Sequence, residues 1–183
     1  MSAPKTWQLD PAHTEVGFAV KHLMIATVRG RFADVKGTLR WDPADPASAV
    51  VDVTIGVGSV NTGNAQRDAH LRSSDFFDVE RFPGMTFQSR RIDVLPDDEL
   101  RVIGDLTIRD VTREVILLVK REGLIQDPWG SRRAGFSANL RIKRSDFGIT
   151  WNQLIEAGGV AVGDEVRISL EAELVEAAVK QAA

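Results

Sequence analysis

The segment 133-RAGFSANLRIK-143 decides how this chain folds. Ala134, Phe136, Ala138, Leu140 and Ile142 share one parity, and Arg133, Ser137, Asn139, Arg141 and Lys143 share the other. A period of two puts the apolar set on one face of a β-strand and the polar set on the opposite face. On a helix the same apolar residues would be scattered around the circumference.

The pattern recurs from end to end. Thr14, Val16, Phe18 and Val20 oppose Glu15, Gly17 and Lys21, and Val35, Gly37, Leu39 and Trp41 repeat it. Val51, Val53, Ile55 and Val57 face away from Asp52 and Thr54, and Leu100, Val102, Gly104, Leu106 and Ile108 face away from Arg101, Asp105 and Arg109. Val166, Ile168, Leu170, Ala172 and Leu174 close the series against Glu165, Arg167, Glu171 and Glu173. With less regular segments near 84–94 and 113–124, this makes about eight strands. Asp42-Pro43, Asp45-Pro46, Pro96-Asp97-Asp98 and Asp127-Pro128-Trp129-Gly130 separate them as turns. Short connections favour antiparallel neighbours. The expected fold is therefore all-β, either a sandwich or a closed up-and-down barrel.

With about eight strands, a barrel interior is either filled by side chains or roomy enough for one small ligand. The inward parity includes Gly37, Gly104, Ala134, Ala138 and Ala172. These small residues either let a coiled sheet bend and interdigitate, or keep a lumen open; periodicity does not choose.

One stretch breaks the alternation: 67-RDAHLRSSDFFDVERFPGMTF-87. Residues 63–74 include Ala65, Gln66, Ala69, Leu71 and Arg72, which suit a short helix. Such a helix, in the loop after the third strand, would lie across one barrel end. Leu71 is expected to face inward, and Arg67, Asp68, His70 and Arg72 to sit nearer water. Phe76 and Phe77 would return the chain to the sheet. The segment is either a plug or a lid at a ligand's entrance, where Arg67 or Arg72 could pair with an anionic head group and His70 could donate to an oxygen.

The 183 residues contain no obvious linker, which suits one domain over 1–183, with 175–183 expected to end as a frayed tail. There is no cysteine, so thiolate metal sites, a cysteine nucleophile and disulfides are excluded. Twenty-three basic and 26 acidic residues leave a net charge of −3, which argues against nucleic acid as the main partner. The opening MSAPKTWQLDPAH has no apolar signal core, and Val115 to Val119, the longest aliphatic run, is too short to span a bilayer. A soluble cytoplasmic protein is expected.

Catalytic motifs are absent. No serine sits in a nucleophile-elbow sequence, and 56-GVGSVNTG-63 lacks the lysine of a P-loop. The three histidines, His13, His22 and His70, have no metal-ligand spacing. Asp10-x-x-His13 and Asp68-x-His70 are acid–histidine pairs that read as local hydrogen bonds or, in an enzyme acting on a lipid or small molecule, as a general base. Arg144 and Asp146 in 144-RSDFGITW-151 are expected to pair. Trp7, Trp41, Trp129 and Trp151 read as large core or rim residues.

The blocks 7-WQLDPAHTEVGFAVKHLMIATVRGRF-32, 59-SVNTGNAQRDAHLRSSDFFDVERFPGMTFQS-89, 102-VIGDLTIRDVTREVIL-117, 135-GFSANLRIKRSDFGITW-151 and 162-VGDEVRISLEAE-173 resemble YceI-like proteins, in order and over nearly the whole chain. The resemblance implies a lipocalin-like, extended antiparallel β-barrel whose lumen binds a long amphiphile, a polyisoprenoid or isoprenoid quinone. It admits a homodimer and implies neither a cofactor, a metal nor an enzyme. Under it, Phe18, Val20, Val53, Ile55, Val102, Leu106, Phe136, Ala138, Leu140, Ile168 and Leu170 are expected to line the lumen, and Arg67, His70, Leu71, Phe76 and Phe77 its mouth. Asp110 stands where that family usually has glycine, in a turn where Asp would tolerate a left-handed backbone.

Overall fold

The computed structural model describes residues 4–156 and 158–177. The strands are β1 (Lys5–Leu9), β2 (Glu15–His22), β3 (Ala26–Phe32), β4 (Val35–Asp42), β5 (Asp45–Gly56), β6 (Val60–Asn61), β7 (Gly84–Val94), β8 (Glu99–Ile108), β9 (Val111–Gln126), β10 (Arg132–Lys143) and β11 (Val162–Glu176), with one helix, α1 (Ala65–Arg72). All pairings are antiparallel.

Eight strand paths form a closed ring. β1 and β2 are two halves of one bent strand, because both pair with β11, Gln8 opposite Val175 and Phe18 opposite Ile168. β3 and β4 are likewise two halves of the next, pairing with β2 and β1. From β4 the meander runs through β5, β7, β8, β9 and β10 to β11, which returns to β1 and removes the free edges. Bulges at Arg40/Asp42, Ser89/Arg91 and Gly135/Phe136 add local bend and twist.

The halves Lys5–Leu9 and Ala26–Phe32 precede the strands expected from Thr14 and Val35; each holds only two large apolar residues of one parity, Trp7 and Leu9 in β1 and Val28 and Phe32 in β3, too few to stand out by alternation. In β3 the position between them is Gly30, where a Cβ would come within 2.4 Å of the Phe18 ring. The C-terminal strand also reaches two residues into the expected tail, with Val175 and Glu176 paired to β1; residues 178–183 lie outside the described residues. The β8–β9 turn differs as well: Arg109, not Asp110, has the positive φ, 56°.

Two apolar clusters fill the ends of the barrel. One surrounds Phe32, Val57, Val60, Phe76, Met85 and Phe147 at the helix end. The other gathers Trp7, Leu39, Trp41, Ala134 and Phe136 at the opposite end. Trp7 is wholly buried, its ring 5.4 Å from Trp41, and Trp41 meets Phe136 edge-on at 5.6 Å. Trp129, by contrast, is exposed in the β9–β10 turn.

The inward glycines do not create empty space. A Cβ on Gly104 would stand 2.4 Å from the Gln88 carbonyl oxygen and 2.6 Å from the Phe87 ring, and one on Gly37 would meet Leu9 and the Asp52 carbonyl at 2.8 Å. They let neighbouring side chains and backbone approach closely.

Removing the buried indole at the seam leaves a large void, so Trp7→Ala should cost about 3–5 kcal/mol in urea unfolding. Gly104→Ala, whose added methyl meets a backbone oxygen that cannot swing away, should cost about 1–3 kcal/mol by the same measurement.

Candidate functional site

Between the two end clusters lies a cavity of about 280 Å³ that runs along the barrel interior, from Trp41, Ala172 and Leu174 to Leu71, Phe77 and Ile149. Its wall offers no exposed polar atom. Alternation produces this wall directly: every strand turns its apolar parity inward, and side chains from β2, β5, β8, β10 and β11 meet around one axis. Val53, Ile55, Phe18, Leu140, Ile168 and Leu170 point inward yet are only half-buried, because they border open space rather than packed core.

Phe18, Val20, Val53, Ile55, Val102, Leu106, Phe136, Leu140, Ile168 and Leu170 all border the cavity. Ala138 is buried but does not border it. At the helix end Leu71, Phe76 and Phe77 border it, whereas Arg67 and His70 do not.

Local chemistry explains that division. Asn64 caps α1 by accepting from the Arg67 N–H at 2.9 Å. Asp68, expected near water, is instead buried and accepts from the Thr62 N–H at 2.9 Å and the Thr62 hydroxyl at 2.6 Å. Burial pushes the Asp68 carboxyl up, but the Thr62 hydrogen bonds and the nearby Arg72 and Arg67 charges outweigh it and hold the group below its usual range. Arg67 donates to the Thr62 hydroxyl and carbonyl at 2.8 and 3.0 Å, and Arg72 to the carbonyls of Gly58 and Val60, each at 2.9 Å. Both cations therefore tie α1 to the preceding loop. The partner of His70 is Asp75 at 2.8 Å rather than Asp68, and its ring stands edge-on to Trp151 at 4.6 Å and Phe76 at 5.0 Å. A row of aromatic contacts, Phe77 to Phe32 at 5.8 Å and Phe32 to Phe18 at 5.6 Å, leads from this cap along the cavity wall.

Arg144 does not form the pair with Asp146 that its sequence neighbourhood suggests. Its side chain is buried at the cavity's helix end and donates to the carbonyls of Gly163 at 2.9 Å, Ile149 at 3.0 Å, Trp151 at 2.8 Å and Val162 at 3.3 Å, not to Asp146. Burial lowers its pKa, opposed by the Asp164 charge. Arg144 thus staples the segment after β10 onto the start of β11. An isolated sequence offers no sign that an arginine in a loop will serve backbone carbonyls.

The opposite end carries the charged cluster. Arg133 donates to Asp127 at 2.7 Å, to Asp10 at 2.9 Å and to Glu173. The His13 hydrogen bond, then Arg133, hold the Asp10 carboxyl at about 2 against burial that would raise it, while Asp10 raises the pKa of His13. Asp10, His13 and Glu173 converge closely enough to suggest a cation site. The Arg133 guanidinium, bonded to both carboxylates, already takes the cation's place. Neither His13 nor His70 borders the cavity, so their carboxylate partners orient them away from anything bound there.

A closed, lipocalin-like antiparallel barrel around one apolar chamber, capped by a short helix, is thus the architecture of this molecule. The chain belongs to the family of the YceI-like domain, whose model matches residues 7–174. It is 44% identical to Protein YceI of Salmonella newport (strain SL254) over 138 residues, 75% of this chain and 72% of that one. The crystal structure of Burkholderia cenocepacia BcnA is similar with a TM-score of 0.80 at 25% identity, over 90% of this chain and 98% of that one. A polyisoprenoid binding domain from Saccharophagus degradans, implicated in plant cell wall breakdown, shares the fold with a TM-score of 0.69 at 18% identity, over 93% and 98% of the two chains. Among the described residues no helix is long and apolar enough to cross a membrane.

The Asp10 cluster makes stability depend on pH. A carboxyl lowered on folding stabilises above its unfolded pKa near 3.9, and that contribution disappears as pH falls toward about 2. Asp10→Asn should therefore cost about 1–3 kcal/mol at pH 7 by urea unfolding and flatten the loss of stability between about pH 4 and 2. The raised His13 acts in the opposite sense: its contribution is complete below about 6.5 and is lost as pH rises through its folded pKa.

Proposed function

We propose that this protein binds the chain of one long amphiphile, a polyisoprenoid or isoprenoid quinone, in the barrel lumen, and acts as a carrier or store rather than an enzyme. The observation that carries this reading is the cavity itself, open along the barrel interior and without an exposed polar atom on its wall. A polar substrate would lose its hydration there with nothing in return. Family membership and the polyisoprenoid-binding description of the Saccharophagus degradans neighbour support the ligand class.

Magnitudes place the affinity in the tail. Each buried methylene contributes roughly 0.8 kcal/mol before association costs, whereas an exposed ion pair at the mouth adds about 0–1 kcal/mol. Leu71, Phe76 and Phe77 are proposed to meet the chain where it leaves the lumen, and Phe18, Val53, Leu106 and Leu170 to enclose it. Arg67 and His70 would reach a head group only by giving up Thr62 and Asp75.

The test is native mass spectrometry after incubation with an isoprenoid quinone or a polyprenyl phosphate. The wild-type protein should show one added ligand. Ile168→Trp combined with Val119→Trp, which fills the chamber from β11 and β9, should reduce uptake at least tenfold while keeping the circular-dichroism spectrum. Equal uptake by the filled variant, or none by the wild type, would overturn the reading. His13→Ala and His70→Ala should bind as the wild type does.

A further inference from the structure

The turn that joins β2 to β3 is built against its own backbone preferences. Leu23 and Met24 both have positive φ, 50° and 60°, and the Ile25 N–H closes the turn on the His22 carbonyl at 3.2 Å. Primed turns of this kind favour Asn and Gly, because side chains with a Cβ crowd the backbone there. Here the turn instead presents Met24 at 56% exposure and Ile25 at 84%. Leu23 is half-buried, but the turn leaves Met24 and Ile25 without packing, which points to a role outside the fold.

A second apolar tip stands beside it. The Leu23 N–H donates to the Ala161 carbonyl, and the Ala161 N–H donates to the Gln153 carbonyl, so residues 160–162 lie between the turn and the loop that carries Leu154. Leu154 is 84% exposed. Both tips project from the helix end of the barrel, within a few residues of Val20 and Val162, which border the cavity.

Below the tips the outer face is basic, although the chain as a whole is acidic. Ala19 pairs with Arg29 on one side and Arg167 on the other, and Arg167 stands directly opposite Arg141. Like charges directly opposite on neighbouring strands are unfavourable unless an anion is near. Glu165 answers Arg141, Glu15 answers Arg31, and Asp164 is held by Ser145. Among the described residues, the exposed Lys21, Arg29 and Arg167 form no ion pair. Glu156, in the loop of Leu154, is a local cost to any anionic partner.

We propose that this end of the barrel is a docking surface for an anionic lipid bilayer: Met24, Ile25 and Leu154 enter the interfacial layer, and Lys21, Arg29 and Arg167 meet the lipid phosphates. Exposed apolar residues above unpaired cations are the arrangement such a surface attracts. A second copy of the chain fits less well, because it would set these cations against themselves. The proposal deepens the lipid-carrier reading, and rests on it only in that docking would bring the cavity's helix end to the source of its ligand.

Co-sedimentation with vesicles tests it, using phosphatidylcholine alone and with about one third phosphatidylglycerol, at roughly 0.1 M salt. The wild type should bind the anionic vesicles and leave the neutral ones. Replacing Lys21, Arg29 and Arg167 together by Ala should weaken binding on the order of a hundredfold, at about fivefold per cation. Ile25→Ser with Leu154→Ser should weaken it roughly tenfold or more. Both variants should take up isoprenoid in the mass-spectrometric assay as the wild type does, so failure to dock and failure to bind ligand are separate results. No binding to anionic vesicles, equal binding by the variants, or a dimer that forms through Ile25 without vesicle binding would overturn the proposal.

Discussion

Closure of β11 onto β1 is the constraint on which the rest depends. Three residue pairs, Trp7 with Glu176, Gln8 with Val175 and Leu9 with Leu174, complete the seven that join β11 to β2, the other half of the same bent strand, and together they turn a meander into a cylinder. Without them the sheet would keep two free edges, and its apolar face would have to fold over and pack on itself. The seam is reinforced on both sides. Inside, Trp7 packs on Trp41, with the Arg132 guanidinium 5.5 Å from its ring. Outside, Glu176 pairs with Lys5 and Arg132, and Arg133 gathers Asp10, Asp127 and Glu173 into one network. Residues from both termini therefore hold the cylinder shut.

Once closed, the cylinder is packed toward its ends rather than filled along its length. The tryptophan cluster occupies one end, while α1, Phe76, Phe147 and the Arg144 staple occupy the other. At the helix end the polar groups are spent on the cap itself. Arg67, Asp68 and Arg72 bond the loop around Thr62, and Arg144 bonds four backbone carbonyls. What remains between them is apolar because nothing polar is left to face it. This supports a binding reading over a catalytic one: of the two expected acid–histidine pairs only Asp10 with His13 forms, at 2.9 Å, His70 meets Asp75 instead of Asp68 at 2.8 Å, and neither histidine borders the chamber.

The alternation in 133–143 and its counterparts carried the strand faces, and ten inward positions named from parity border the cavity. The helix is legible because residues 63–74 break that period and include Ala65, Gln66, Ala69, Leu71 and Arg72, which suit a helix; its Asn64 cap is not. Side-chain partners were not. Asp68 was placed near water and paired with His70, yet it is buried against Thr62; Arg144 was paired with Asp146, yet it serves carbonyls far along the chain. A polar residue chooses its partner from whatever folding brings near, and spacing along the chain carries little of that.

The amino-acid sequence by itself determined which side of each strand is apolar, since a period of two is a local property of the backbone. It also determined that cysteine chemistry is absent and that one loop is helical. Only the tertiary structure decided that the interior is open, that Gly37 and Gly104 admit neighbouring atoms rather than a guest, and that Arg67 and His70 stand outside the wall. Those outcomes depend on how strands curve around a common axis and on distances between residues far apart in the chain. No local pattern encodes such distances.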